Sequence, residues 1–173
     1  MASIDVKNFN LLSSLGFKFL LHRAPNVNFF CTAANLPSLS LGEASLYTPF
    51  TNIPIYGDKL EFGDFSLQFK LDEDLANYFE IYNWMIGLGF PKSFEQHKKL
   101  TSAPAGSSNK LTSDATLTIL TSAKNSNVEI NFEDLWPTTL AAVEFDLERE
   151  NVEYVTALVS FRFKYFDIRV KDK

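Results

Sequence analysis

The sequence predicts a mainly β fold, a sandwich or barrel flanked by one α-helix. Seventeen phenylalanines in 173 residues favour strands, where aromatic side chains pack well on a pleated surface. Apolar and polar residues alternate over several short segments, as they do in half-buried strands. Only one long segment repeats its apolar residues with the period of a helix. Strands at regular spacing beside a single helix are typical of sandwiches and barrels.

The helix is predicted over residues 71–88, LDEDLANYFEIYNWMIGL. Asp72, Glu73 and Asp74 would lie in its first turn, where unpaired N–H groups favour carboxylates. The predicted core face repeats at helical spacing and consists of Leu75, Tyr78, Phe79, Tyr82, Met85 and Ile86, with Asp74, Asn77, Glu80 and Asn83 on the solvent face.

Alternation also places the strands. They are predicted at residues 16–23, 28–34, 65–70, 114–121, 128–133, 140–147 and 152–170. Turns are predicted at residues 24–26, 57–58, 124–127 and 148–151. In the long last strand one face would carry Val155, Ala157, Val159, Phe161, Phe163 and Tyr165. The two last turns would each close a hairpin.

Three segments fall outside this pattern. Residues 1–14 are polar and mixed, and we expect an N-terminal arm there, followed by one domain over residues 15–173. Residues 37–58 contain too many prolines for a central strand, so we expect an extended excursion from the body. Residues 92–113 end in small polar residues, which are typical of a mobile loop.

Charge and cysteine content limit the possible functions. The net charge of −5 argues against a surface that grips nucleic acid, since such binding needs clustered Lys and Arg. It does not argue against a surface that nucleic acid slides past. A lone cysteine, Cys31, precludes an internal disulfide and fits a reducing cytoplasm. No apolar run reaches the roughly 20 residues of a membrane span.

The sequence contains no motif that indicates catalysis. It has no nucleotide-binding glycine loop and no GxSxG nucleophile motif. His22 and His97 are predicted to be ordinary surface histidines, His97 in a solvated loop, and Cys31 a small core residue. We therefore predict no catalytic, metal or cofactor site and no enzyme. A carboxylate pair brought together by folding, as in glycosidases, stays open.

Two motifs are more distinctive than generic β structure. Leu36-Pro37 closes the second predicted strand, and Leu135-Trp136-Pro137-Thr138 precedes the last hairpin. With these motifs the sequence resembles the tail-tube proteins of contractile-tailed bacteriophages, including baseplate tube initiators. The resemblance covers residues 16–168 in the order of elements.

The resemblance implies a structural protein. Six copies would form a ring whose inner strands join, and rings would stack with one another and meet sheath or hub proteins. DNA would pass through such a tube transiently during ejection from a virion tail. Six copies at −5 would carry −30, and acidic residues facing the bore would repel phosphates. The candidate bore residues are Glu144, Asp146, Glu148 and Glu153.

Two alternatives remain open at this point. The chain could form the major tube or, as the N-terminal arm and long loops favour, a baseplate-proximal initiator ring. It could instead be a carbohydrate- or receptor-binding sandwich that uses exposed aromatic side chains and forms no ring.

Overall fold

The computed structural model describes residues 16–102, 111–145 and 154–170, together with Leu12. Within these ranges the chain is mainly strand, as predicted. In order the elements are β1 (Phe17–Leu21), α1 (Pro25–Phe30), β2 (Cys31–Ala34), β3 (Leu39–Tyr47), β4 (Asn52–Phe62), β5 (Phe65–Lys70), α2 (Ala76–Gly89), α3 (Phe94–Ser102), β6 (Ser113–Leu120), β7 (Ser126–Leu140), β8 (Thr156–Arg162) and β9 (Tyr165–Val170).

One antiparallel sheet of seven strands forms the body. Its order is β1-β6-β7-β8-β5-β2, and β9 also pairs with β7. Although β1 and β5 are far apart in this order, the rings of Phe19 and Phe65 lie 5.4 Å apart. The sheet therefore curls around one core, as a sandwich or open barrel does.

Strict alternation predicted the core faces of two strands correctly. Phe65, Leu67 and Phe69 of β5 are fully buried. In β8 the predicted face is buried at Ala157, Val159 and Phe161, and Phe163, just after the strand, is buried as well. Each of these strands has apolar residues at every second position because only one of its faces meets the core.

The last predicted strand is in fact two strands. The chain breaks between β8 and β9 at Phe163–Lys164, where the Lys164 N–H donates to the Glu133 carbonyl at 3.1 Å. After this break Phe166 is buried and Tyr165 is half exposed. The strand predicted at residues 140–147 is wrong over residues 141–145, since β7 ends at Leu140; residues 146 and 147 lie outside the described residues. The predicted turn at 148–151 lies outside the described residues.

β7 links the two halves of the sheet. Along one edge it pairs with β6, and along the other it pairs first with β9 and then with β8. Asp134 has φ 51°, and its carboxylate accepts a hydrogen bond from Thr112 Oγ1 at 2.7 Å. A left-handed residue inserted between pairing segments bends a strand. The bend lets β7 leave one partner and join the next.

The resemblance implied a turn at Leu135-Trp136-Pro137-Thr138. In the structure this segment is instead part of β7. Pro137 aligns with Phe161 of β8. The pairing of β7 with β6 ends at Leu135, so Pro137 has a neighbouring strand on one side only. A proline, which lacks an N–H, is tolerated at such a local edge.

The strand predicted at residues 28–34 is wrong over its first half, which belongs to α1, and the predicted turn at 24–26 leads into this helix. Pro25 sets the helical φ at the first turn. The Asn28 side chain then pairs with the backbone of Leu21, accepting from its N–H at 2.7 Å and donating to its carbonyl at 3.1 Å. This clamp to β1 is a tertiary contact that alternation does not reveal.

The long helix begins later than predicted, at Ala76. Leu75 has φ 55°, which separates Asp72, Glu73 and Asp74 from the helix, so they are not in its first turn. The buried Asn77 side chain organises this start, donating to the Lys70 carbonyl at 2.8 Å while its oxygen accepts from the Tyr78 N–H at 2.8 Å.

The predicted core face of α2 is correct only in part, since Tyr78 and Met85 pack partly buried against the core. The buried residues are Asn77, Ile81, Trp84 and Gly87, whereas Phe79 and Tyr82 are 49% and 45% exposed. Trp84 determines this orientation, because its indole N–H donates to the Leu111 carbonyl at 2.9 Å. Its ring also packs 6.2 Å from that of Phe161.

The loop predicted at residues 92–113 contains α3, so His97 lies on a helix and not in a loop. Gly87 makes the contact between the helices close, since a Cβ there would lie 2.8 Å from Leu100 Cβ. Tight packing on α2 therefore stabilises a helix whose own sequence is largely polar. Residues 103–110 lie outside the described residues.

The excursion predicted at residues 37–58 is a hairpin. β3 and β4 form a separate two-stranded sheet, here called the projecting hairpin. Phe62 packs its base against Phe163 and Phe166, with ring centroids 5.7 and 5.5 Å apart. The turn predicted at Gly57–Asp58 is wrong, since both residues lie within β4 at an irregularity in the pairing.

Candidate assembly surfaces

The projecting hairpin exposes apolar side chains along its length. Its exposed large apolar residues are Leu39, Leu41, Leu46, Tyr47, Phe50, Ile53, Ile55, Tyr56 and Leu60. In its outer half Ala44 pairs with Ile55, and Leu46 pairs with Ile53. Directly paired residues lie on the same face of a sheet, so these four side chains form one apolar face.

The tip of this hairpin is an ordered turn. Thr48 Oγ1 donates to the Thr51 carbonyl at 2.6 Å, and the Thr48 N–H donates to the same carbonyl at 3.1 Å. These bonds hold Phe50, which is 97% exposed, at the end of the hairpin. An isolated two-stranded sheet is only marginally stable in water. The hairpin therefore has the features of a surface that another molecule covers.

A second exposed apolar surface lies on the helices. Phe79 and Tyr82 are exposed on α2. At the end of α2, the His97 ring packs against Phe90 and Phe94 at 5.6 and 5.5 Å. His97 Nδ1 lies 3.2 Å from the Gly87 carbonyl oxygen. The aromatic cluster joins α2 to α3 and continues the exposed surface of α2.

A cavity of about 530 Å³ opens between these helices. Its lining residues are Arg23, Glu80, Asn83, Trp84, Ile86, Gly87, Gln96, Lys99 and Leu100. The Arg23 guanidinium stacks on Trp84 at 5.3 Å and donates to the Leu100 carbonyl at 3.3 Å. The cavity thus combines an apolar floor with a rim that carries charge.

Burial shifts the pKa values of two ionisable groups in this rim, Arg23 and Glu80. Desolvation lowers the pKa of Arg23, which nevertheless stays a cation because guanidinium titrates so far above neutral pH. Desolvation raises the pKa of Glu80, and hydrogen bonds from Asn26 and Val27 oppose that shift. The Glu80 carboxylate accepts from Asn26 N and Nδ2 at 3.1 and 2.8 Å. Glu80 is therefore engaged in tying α1 to α2.

The motif residues have structural positions. Leu135 is fully buried, Pro137 is buried, and Trp136 packs partly buried against the core. Thr138 Oγ1 donates to the Ser160 carbonyl at 3.1 Å. After β2, Leu36 is 54% exposed and Pro37 is buried. Sequence analysis missed the exposed faces of the hairpin and α2.

Of the four predicted bore carboxylates, only Glu144 lies among the described residues. It is exposed and follows the end of β7. Asp146, Glu148 and Glu153 lie outside the described residues. A position in the bore therefore stays a prediction for all four.

Cys31 should react slowly with alkylating reagents. Burial raises the pKa of its thiol from the ordinary 9.0 to about 11. At pH 8 the higher pKa lowers the thiolate fraction about 100-fold. A thiolate of higher pKa is also a stronger nucleophile, which offsets part of this effect. The alkylation rate should therefore be about tenfold lower than in unfolded protein. The neutral thiol stabilises the fold below pH 9, and this contribution is lost as the pH rises towards 11. Iodoacetamide labelling with and without urea measures the rates, and equal rates would contradict the prediction.

Two further classes of site were sought in the described ranges. No group of three or more His, Cys, Asp and Glu side chains there could hold a metal ion. None of the helices described is long and apolar enough to cross a membrane.

Comparisons with known proteins identify the fold. No protein-family model and no curated protein sequence matches the chain. Among solved structures, the anti-feeding prophage cap, a tube-terminating cap, matches with a TM-score of 0.62 and 14% identity over 99% of this chain and 100% of that chain. The chain has the fold of contractile-system tube proteins. A chain of the six-fold symmetrised anti-feeding prophage baseplate gives 0.60 and 11% over 94% and 97%.

The tube-protein fold accounts for the whole chain. The sheath-tube complex of an extracellular contractile injection system, PVC, contains a chain that matches over 99% of both chains, with a TM-score of 0.56 and 10% identity. Tube, cap and baseplate assemblies thus all contain chains of this fold, which confirms the tube-like fold predicted from the sequence.

Proposed function

We propose that this protein is a structural subunit that forms a ring in the tube of a contractile particle or at one end of that tube. The observation that carries the proposal is the whole-chain fold match to tube, cap and baseplate chains. The role is mechanical, and we propose neither catalysis nor a cofactor.

The exposed surfaces support self-assembly. A monomer in water would expose the apolar side chains of the projecting hairpin and α2, which is a feature of protein interaction sites. The strand order also ends at β1 and β2, and unpaired strand edges favour pairing with another chain unless they are covered. A closed ring covers both kinds of surface at once.

We further propose a ring of six subunits, because the similar baseplate structure is six-fold symmetrised. Stacked rings and sheath or hub proteins are the proposed partners. In a virion tail such a ring would conduct DNA during ejection. We favour a ring at the end of the tube, since the cap and baseplate chains match with TM-scores of 0.62 and 0.60, above the 0.56 of the chain from the sheath-tube complex.

Negative-stain electron microscopy of the purified protein, at low and high concentration, tests this proposal. We expect particles with a central hole in end-on views. Discrete rings that do not elongate would support an end ring, and long hollow tubes would identify a main tube subunit. Monomers at every concentration would contradict the proposal, and binding of glycans by such monomers would favour the carbohydrate-binding alternative.

A further inference from the structure

The projecting hairpin and the α2–α3 cavity are complementary in shape. The hairpin ends in Phe50, a single aromatic side chain held almost fully in solvent by the Thr48–Thr51 turn. The cavity is a concave site of about 530 Å³ with Trp84 and Leu100 among its lining residues. Five of its nine lining residues are polar or charged, and the apolar ones, with Trp84 among them, offer a surface on which an aromatic ring can pack. One molecule thus carries both a projecting aromatic side chain and a separate recess for one.

Their charges are also complementary. The hairpin has a net charge of −2, from three carboxylates, Glu43, Asp58 and Glu61, and one lysine, Lys59. The turn before α3 and α3 itself have a net charge of +2, from three lysines, Lys92, Lys98 and Lys99, and one carboxylate, Glu95. At the cavity itself two cations, Arg23 and Lys99, outnumber one carboxylate, Glu80. Opposite potentials orient two surfaces as they meet.

The dimensions allow a stable contact. A strand of 9 residues such as β3 is about 30 Å long, and a helix of 14 residues such as α2 is about 21 Å long. The hairpin can therefore span the exposed side of α2. The side that faces α2 would bring Leu46, Ile53 and Ile55 of one hairpin face, together with Phe50 at the tip, into the contact.

We propose that the projecting hairpin of one copy binds the α2–α3 surface of the next copy, with Phe50 entering the α2–α3 cavity. The contact joins different surfaces on the two copies, so it is heterologous and repeats from copy to copy, as a ring or a tube requires. This inference rests on the proposed function and assigns its contact residues. Phe79 and Tyr82, which are exposed on α2, receive the apolar face formed by Leu46, Ile53 and Ile55.

Two variants block the two sides of this contact separately. Phe50→Asp removes the aromatic side chain from the hairpin, and Asn83→Trp fills the mouth of the cavity from an exposed position on α2. Phe29→Asp is the matched control for the first, since Phe29 is 84% exposed in α1. Ser122→Trp is the control for the second, in the exposed turn before β7. Unchanged urea midpoints verify that each variant folds.

Analytical ultracentrifugation of each variant, and of mixtures, tests the pairing. Each blocking variant alone should associate about 30-fold more weakly than wild type or worse, as expected for loss of a central aromatic contact, while both controls associate normally. An equimolar mixture of Phe50→Asp and Asn83→Trp should form a 1:1 heterodimer that does not grow, because each pair retains one intact hairpin and one open cavity.

Other outcomes separate the two proposals. Normal association of either blocking variant, or a mixture that stays monomeric while wild type assembles, would overturn the hairpin-to-cavity pairing and leave the proposed function intact. Wild-type protein that stays monomeric at every concentration would overturn both.

Discussion

Replacing Phe65 by alanine should lower the free energy of unfolding by about 4 kcal/mol, within the range for truncating a buried phenylalanine. Phe65 is fully buried. Its ring centroid lies 5.4 Å from that of Phe19, 4.7 Å from Phe132 and 6.2 Å from Phe161. These neighbours belong to β1, β7 and β8, so the cavity would open where opposite parts of the curled sheet meet.

Urea unfolding followed by far-UV circular dichroism measures this loss, with low protein concentration to keep the chain monomeric. Phe29→Ala is the control, because a side chain 84% exposed should change the monomer's stability by less than about 0.5 kcal/mol. A loss below about 1.5 kcal/mol for Phe65→Ala would mean that the surrounding aromatic rings close the space.

Replacing Trp84 by alanine should also be severe, at about 3 to 5 kcal/mol. The side chain is 2% exposed, packs on Phe161, supports the Arg23 guanidinium and donates to the Leu111 carbonyl. Its removal takes away the largest fully buried or nearly buried side chain of α2. We therefore expect the helices to loosen together with the core.

Trp84→Phe separates the contributions of ring packing and hydrogen bonding. It keeps much of the ring but leaves the Leu111 carbonyl without this donor, so a loss of about 1 to 3 kcal/mol is expected. The same urea titration serves here. If Trp84→Phe were as destabilised as Trp84→Ala, the hydrogen bond to Leu111 and not the packing would hold α2 in place.

The sequence predicted best where one face of an element meets the core. β5 and β8 have such faces, and their alternation shows it. α2 was misread because a count of apolar residues favours the stripe through Phe79 and Tyr82. The structure instead buries Trp84 and Asn77, whose polar atoms have backbone partners.

Short and largely polar helices were the other difficulty. α1 depends on the clamp between Asn28 and Leu21, and α3 depends on the close contact at Gly87. Both are contacts between distant residues, which local patterns cannot show. The strands of the projecting hairpin could not be predicted from alternation. Neither face of the hairpin meets the core, so apolar and polar residues do not separate onto opposite faces.

The pairing of β1 and β9 affects when the newly made chain can fold. Phe17 aligns with Ile119, about 100 residues later, and β9 at residues 165–170 covers the free edge of β7. Contacts between such distant segments slow folding. While the ribosome is still adding β9, the unpaired backbone groups along this edge of β7 stay open to other chains. Folding of this part of the sheet therefore waits until β9 has been made, and overproduction would favour aggregation of chains that still lack β9.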